Sequence, residues 1–399
     1  MGHILMIGGY DVNMATFREL GLTLTLFQKN AMASPHQAQT AKRLYAFDYE
    51  NIPEAVALAR VVHEQEPLDG VASFTELGLE VAASIRDALG IAGNPLVPVA
   101  ATRDKVKMRA LLDSRGVPSA RYHECHTPAD LETFFLALGG PLVLKPARGC
   151  GSEGISFVSS RSQLDEAWSR SAAVGLLPLI AEEYFDGPEV SVETQTIDGK
   201  HEIVAITEKI TTGKPRFVET GHQLPARLGA QQQSAIEETV SVFLTAIEHR
   251  LGPAHTELRL TPEGPRLIES QTRPGGGFIW EMVLRGRGVD LVTETLRHLV
   301  STTPTAREPG AGAAAIRFFV HGDKTVARID GLEEAEKLPG VVRVSCDANP
   351  GDVLGPVKSS DDRQGYILAT GRTTDEACAN VERAFSAVTF HFEGQGPSS

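Results

Sequence analysis

Apolar and polar positions along this 399-residue chain change period several times, and each change predicts an element. The run "HILMIGGY" predicts a buried strand ending in a turn at Gly8-Gly9, and "LTLTLFQKN" predicts a second strand. Helical spacing follows in "IPEAVALARVVHEQ". "LDGVASFTELG" then predicts another strand, with Glu76 just past its end. Strands alternating with helices predict α/β structure, a parallel sheet with helices on its faces. Ligands at such sheets bind beyond the carboxyl ends of the strands, where Gly8, Gly9 and Glu76 fall. Gly8-Gly9 is not a G-x-G-x-x-G fingerprint, and a plain strand-end turn is the preferred reading.

"TRDKVKMRALLDSRGVP" predicts one helix, with Thr102 as N-cap and Gly116 and Pro118 as the stop. From Pro141 to Ile210 short strands dominate: "PLVLKP", "GISFV", "PLIAEEYF", "PEVSVETQTI" and "EIVAITEKI". The texture there is α+β. A helix from Ala235 to Arg250 precedes the hairpin "HTELRLTPEGPRLIESQTR". "STTPTAREPGAG", Ser301 to Gly312, is the linker candidate. A last small α+β unit holds "AAAIRFFV", "VVRVSCDA" and the helix "TTDEACANVERAFSAV". The tail "GQGPSS" is expected to be disordered.

Composition narrows the class. With 42% hydrophobic and 22% charged residues the chain can build an ordinary core. A net charge of -13 argues against nucleic acid or an anionic membrane as partner, yet leaves room for a local basic pocket. Cys125, Cys150, Cys346 and Cys378 form no C-x-x-C and no zinc spacing, which fits a reducing compartment. The N-terminus lacks the regions of a signal peptide. The longest apolar run, Phe134 to Leu144, is too short to span a bilayer and is broken by Gly-Gly-Pro. A cytoplasmic location is the expectation.

Three stretches carry candidate chemistry. In the hairpin, a five-residue loop from Thr261 to Pro265 sets Glu257 opposite Glu269. Like charges directly opposite destabilise a sheet. A divalent cation between them reverses that sign, and hard carboxylate oxygens suit Mg²⁺ carried with substrate phosphates. Gln271 and Arg273 continue the alternation, and three glycines follow, Gly275 to Gly277. The competing reading is two glutamates on a solvated face. In "PLVLKPARGCGSEGISFV", Lys145 ends a strand and a glycine-rich loop follows. Backbone N–H groups of such a loop wrap phosphate oxygens. It is not a Walker A loop, because the lysine precedes the glycines; an ordinary hairpin with a surface lysine competes. In "LIAEEYFDGPEVSVE" a strand edge can offer backbone groups to adenine, and Glu189 can accept from ribose hydroxyls; solvated acids near a turn compete. Cys150, beside the loop glycines, has no histidine paired with it in sequence and is a weak nucleophile candidate.

The order of these pieces resembles the ATP-grasp superfamily. The resemblance implies an N-terminal parallel α/β domain (1–100), a first half of the grasp with the lid (101–190), a second half with the metal and substrate site (191–305) and a C-terminal α+β unit (306–399). It implies that Lys105 and Lys145 contact ATP phosphates, and that Gly149 to Gly154, with Gly151, Ser152 and Gly154, form the lid. Glu182, Glu183 and Tyr184 match the adenine-contacting hinge, and Glu189 the ribose acid. Glu257 and Glu269 match Mg²⁺ ligands, with Mn²⁺ as an alternative ion, and Arg273 matches the arginine at the reacting groups. The family usually carries E-x-N-x-R; this chain has Gln271 at the asparagine position, one methylene longer.

Within the superfamily, "ITEKITTGKPRFVETGHQLPA", Ile206 to Ala226, is similar to the carboxylate–amine ligases of the L-amino-acid ligase type. That likeness implies Lys209, Glu219 and His222 as contacts of ATP or substrate, beside Glu76, Gly276 and Gly277, and a packed loop histidine competes for His222. The implied reaction is ATP-dependent activation of a small carboxylate as an acyl phosphate, then attack by an amine, in a homodimer. Two rivals stay open: carboxylation of the biotin-carboxylase kind, which activates bicarbonate, and a non-catalytic nucleotide-binding regulator.

Overall fold

The computed structural model describes residues 2–149, 151–301 and 306–394. Cys150, residues 302–305 of the linker candidate and "QGPSS" of the tail lie outside the described residues. The first sheet holds β1 (His3–Ile7), β2 (Thr23–Gln28), β3 (Arg43–Ala46) and β4 (Gly70–Ala72), in the order β3-β2-β1-β4 with every pairing parallel. Leu5 and Ile7 pack with the helix Ile52–Gln65, while Ile4 and Met6 pack with Met14, Phe17 and Leu296. Both faces are covered, and β1 therefore reads as an unbroken apolar run.

The second sheet holds β5 (Tyr122–Cys125), β6 (Leu142–Pro146), β7 (Ser156–Val158) and β8 (Leu179–Glu183), antiparallel in the order β5-β8-β6-β7. The glycine-rich loop joins β6 to β7. Then come β9 (Glu189–Ile197), β10 (Lys200–Thr211), β11 (Glu219–Leu224), β12 (Gly252–Thr261), β13 (Gly264–Gln271), β14 (Ala313–Phe318), β15 (Lys324–Asp330), β16 (Val341–Cys346), β17 (Val353–Leu354), β18 (Gly365–Gly371) and β19 (Thr389–Phe392). Eight of them form one antiparallel sheet, β13-β12-β9-β10-β11-β14-β18-β16, and β17-β15-β19 form a small one. The α/β unit followed by α+β units matches the expected architecture. The last unit is not a separate bead, because β11 pairs directly with β14. Among the described residues no helix is long and apolar enough to cross a membrane.

Four expectations need correction. The single helix from Thr102 is two, Leu96–Arg103 and Lys105–Ser114. Asp104 breaks it with extended backbone, and its carboxylate caps the second helix by accepting from Val106 N and Lys107 N. Thr102 lies inside the first helix and donates its hydroxyl to Val99 O. The break lets Lys105 N donate to Ala147 O, which hangs the second helix on the start of the glycine loop. The helix expected from Ala235 to Arg250 runs Ala230–Ala246, capped by Gly229. The hairpin turn has two residues rather than five, since Thr261 pairs with Gly264. The linker candidate is not free in its second half: Arg307 pairs with Glu202 and Glu294, and Ala311 N and Gly312 N donate to Arg285 O and Gly286 O.

Candidate active site

The site is built around β12 and β13. A two-residue turn alone offsets the strands by one, pairing Leu258 with Leu267. A bulge at Ile268 then adds one residue to β13, and beyond it Glu257 does pair with Glu269. Arg109 holds the bulge. It is fully buried, its Nη2 donates to Ile268 O at 2.7 Å and Leu267 O at 3.2 Å, and its Nε meets Glu182 at 2.6 Å. Lys145 meets the other oxygen of Glu182 at 2.7 Å. Burial pushes the Glu182 carboxyl up, but Arg109 and Lys145 outweigh it and bring its pKa to about 2. Breaking one arm of such a buried triad leaves an uncompensated charge, at about 3–5 kcal/mol.

Each candidate carboxylate ligand has a cationic partner. Lys105 Nζ lies 3.1 Å from Glu269 and 3.3 Å from Gly149 O. Burial alone would lower the Lys105 pKa; Glu269 more than reverses that. Gln271 Nε2 donates to Glu269 at 2.8 Å. Glu257 pairs with Lys209 and lies 3.1 Å from His255 Nε2. Burial pushes Glu257 up, and Lys209 and His255 hold it well below the usual carboxylate range. Burial also opposes charge on His255, but Glu193 at 2.6 Å and Glu257 lift it to about 9.

Lys209 is the hub of the second half. It reaches Glu189 at 3.0 Å and Glu219 at 2.9 Å as well as Glu257. Against burial, those carboxylates raise it well above the ordinary lysine value. Glu219 is driven up by burial and down further by Lys209, to about 2. His222 is fully buried and pushed to about 4 by burial, so it is neutral at pH 7, and both its ring nitrogens lack hydrogen-bond partners. Its Nε2 is 3.9 Å from Glu219. Glu189 also pairs with Arg259 at 2.7 Å.

The remaining candidates flank this core. Glu76 binds Arg103 and Arg273, tying the first sheet's carboxyl end to the end of β13. Burial pushes the Glu76 carboxyl up, and the two guanidinium groups bring it below its ordinary value. The three glycines are crowded except in the middle. A Cβ at Gly275 would lie 2.8 Å from His255 Nδ1, and one at Gly277 would lie 2.8 Å from His222 Nε2. A Cβ at Gly276 would meet nothing within 4 Å. Tyr184 stands in an aromatic group, 4.8 Å from Phe157 and 6.1 Å from Phe217 by ring centroids, with Lys214 4.5 Å over its ring. Glu183 turns away to Arg121, at 2.9 Å. In the glycine-rich loop, Gly151, Ser152 and Gly154 adopt left-handed backbone, and Gly151 O accepts from Ser360 N of the last unit at 3.0 Å.

The donor set fits a divalent ion delivered with phosphates. Two hard carboxylates face each other across the hairpin, and among the described residues no group of three or more His, Cys, Asp or Glu side chains gathers to hold a metal. Such a pair leaves coordination positions for substrate oxygens and water, the pattern Mg²⁺ prefers. Sequence reasoning missed Arg103, Arg109, Glu193, Arg259 and Arg363. Arg109 had a local signal, four residues after Lys105 on the same helix face. Arg363 had none, because Phe318 and Glu219 beside it are far away in the chain.

Comparisons with known proteins bear on the same regions. An ATP-grasp N-terminal domain model matches residues 14–93, an ATP-grasp domain model 138–281, and an L-amino acid ligase C-terminal domain 2 model 317–393. The crystal structure of L-amino acid ligase from Bacillus licheniformis superposes with a TM-score of 0.84 at 28% identity, over 99% of each chain. An L-arginine-specific L-amino acid ligase of Bacillus subtilis is 25% identical over 74% of this chain and 73% of its own length. An uncharacterized protein of Sinorhizobium fredii is 28% identical over 71% of this chain, which spans 60% of that relative.

Proposed function

We propose, from the premise that this chain is an ATP-grasp domain ligase related to the L-amino acid ligases, that it joins a small carboxylate to an amine as an amide, converting ATP to ADP and phosphate. The carboxylate is an amino acid or a close analogue. The observation that carries the reading is the pairing of Glu257 with Glu269 beside Lys105 and Arg273.

In this reading Lys105 and Lys145 present fixed positive charge to the nucleotide phosphates. Glu257, Glu269 and the Gln271 amide would hold a divalent ion, which would supply neutralisation of phosphate charge. Tyr184 and its aromatic neighbours wall the base, and Glu189 accepts from the ribose. Arg273, oriented by Glu76, holds the carboxylate whose oxygen attacks the γ-phosphorus as ADP leaves. The loop Gly149 to Gly154 excludes water from the acyl phosphate. The amine then attacks the acyl carbon, phosphate leaves, and one proton departs from nitrogen. Gly276 leaves room for that carbon, and backbone N–H groups there stabilise the oxyanion. Glu219 stays ionised and attracts an ammonium, which gives up one proton to solvent to become the attacking amine; the proton released as the amide forms leaves with the phosphate. The homodimer implied by the resemblance belongs to the same reading.

Purified protein incubated with Mg-ATP and a matrix of small carboxylates and amines tests this. ADP and phosphate should appear only with a carboxylate–amine pair, matched by an amide in mass spectrometry. ADP release driven by bicarbonate alone, or no turnover with any pair, overturns the proposal.

A further inference from the structure

β9 and β12 lie side by side, and their register sets His255 opposite Glu193 and Glu257 opposite Ser191. Glu193 is fully buried, and a buried carboxylate persists only where donors converge on it. Three do. His255 Nδ1 lies 2.6 Å from Glu193 Oε1, Ser191 Oγ donates to the same oxygen at 3.1 Å, and Gly275 N donates to Oε2 at 3.2 Å. Ser191 is a neighbour on β9, and Gly275 opens the glycine turn after Arg273. Glu193 is thus anchored on both of its oxygens, and a Cβ at Gly275 would lie only 3.0 Å from Oε2.

His255 carries that anchoring onward. Its ring is buried, and Nε2, at the far end from Glu193, lies 3.1 Å from Glu257 Oε1. An imidazole is rigid, so pinning one ring nitrogen fixes the direction in which the other points. Lys209 also meets Glu257 Oε1, but on a flexible stem and shared among three carboxylates. Both contacts end on Oε1, so Oε2 is the oxygen left to meet an ion. Partners behind a metal ligand orient it, and losing one typically costs about 10- to 100-fold in metal affinity.

We propose that Glu193 is a positioning residue for the metal: acting through His255, it aims Glu257 at the divalent ion while touching neither ion nor substrate. This rests on the ligase reading above, through its metal ligands. Nothing local in the sequence joins the three residues; the pairing of β9 with β12 does.

The test reads Mn²⁺ binding in the presence of ADP from the loss of the free-ion electron paramagnetic resonance signal, and melting temperature reports the fold. It compares wild type with Glu193→Met, Glu193→Gln, His255→Asn and the Glu193→Met/His255→Asn double variant. Glu193→Met keeps most of the volume but removes every acceptor, and should weaken Mn²⁺ binding about 10- to 100-fold. On the His255→Asn background the same change should cost less than about 2-fold, because the path to Glu257 is already cut. A purely structural role would give the same loss on both backgrounds. Glu193→Gln retains one acceptor oxygen and should fall between wild type and Glu193→Met. It serves alone if the methionine variant does not fold, and wild-type affinity in it then counts against the proposal. Wild-type affinity in a folded Glu193→Met, or equal losses on both backgrounds, overturns the proposal and leaves the metal ligands in place. A wild type that binds no Mn²⁺ with ADP present removes the metal reading, and this inference with it.

Discussion

Glu269 shows how much one side chain is asked to do. It faces Glu257, accepts from Gln271 and neutralises Lys105. As a metal ligand it must be anionic, while its carboxylate shape alone would satisfy the hydrogen bond from Gln271. Glu269→Gln therefore separates charge from shape. Turnover of ATP should fall by at least about 10²–10³, with a native circular dichroism spectrum. Wild-type-like turnover would remove Glu269 from the metal site. Spacing in the sequence points to Glu257, Glu269, Gln271 and Arg273, because strand alternation is local. It does not point to His255 with Glu193 or to Arg363, whose partners meet them only through folding.

At the scale of elements, the hairpin and the glycine loop decide the site. A five-residue loop predicts the correct Glu257–Glu269 pairing; the protein reaches it instead with a two-residue turn and a bulge that Arg109 holds. Alternation fixes which residues share a face, but a bulge is chosen by what its freed carbonyls meet. The three glycines likewise have different reasons. Gly275 is packed against His255 and Glu193, and Gly276 faces open space. Gly275→Ala should lower the melting temperature and weaken activity together, because the new methyl displaces His255 from Glu257. Gly276→Ala should keep the wild-type melting temperature while reducing amide formation, since its methyl occupies substrate room. Thermal melts beside rate assays distinguish them; a destabilised Gly276→Ala with a stable Gly275→Ala would reverse the assignment.

Across the whole molecule, buried titratable groups set the response to pH. Burial brings His222 and His249 to about 4, from an ordinary 6.5. In the unfolded chain both take protons near 6.5, so their contribution to stability is full above that value and falls as pH drops from 6.5 to 4. Each histidine contributes on the order of 3 kcal/mol to the loss when complete. Glu182 and Glu219, against burial, are held at about 2 by their cationic partners; their stabilisation is present above 4.5 and is lost between 4.5 and 2. Acid unfolding should thus begin well above the carboxylate range. Urea midpoints at about pH 7, 5.5 and 4.5 would register the upper stage, and His249→Gln, distant from the reaction, should shrink it. A midpoint constant from about pH 7 to 4.5 would contradict the burial of both rings.

The sequence by itself determined the parallel α/β opening, the run of antiparallel strands, and the lysines, glutamates and arginine on which the resemblance rests. These depend on period, turn chemistry and local order, which neighbouring residues dictate. Tertiary structure alone decided the break at Asp104, the bulge under Arg109, and the joining of the last unit to the central sheet through β11 and β14. Those features answer to carbonyls, charges and strand edges supplied from elsewhere in the chain. The position of Arg363 over Phe318 beside Glu219 belongs to the same class: three distant segments create it, and no local pattern encodes it.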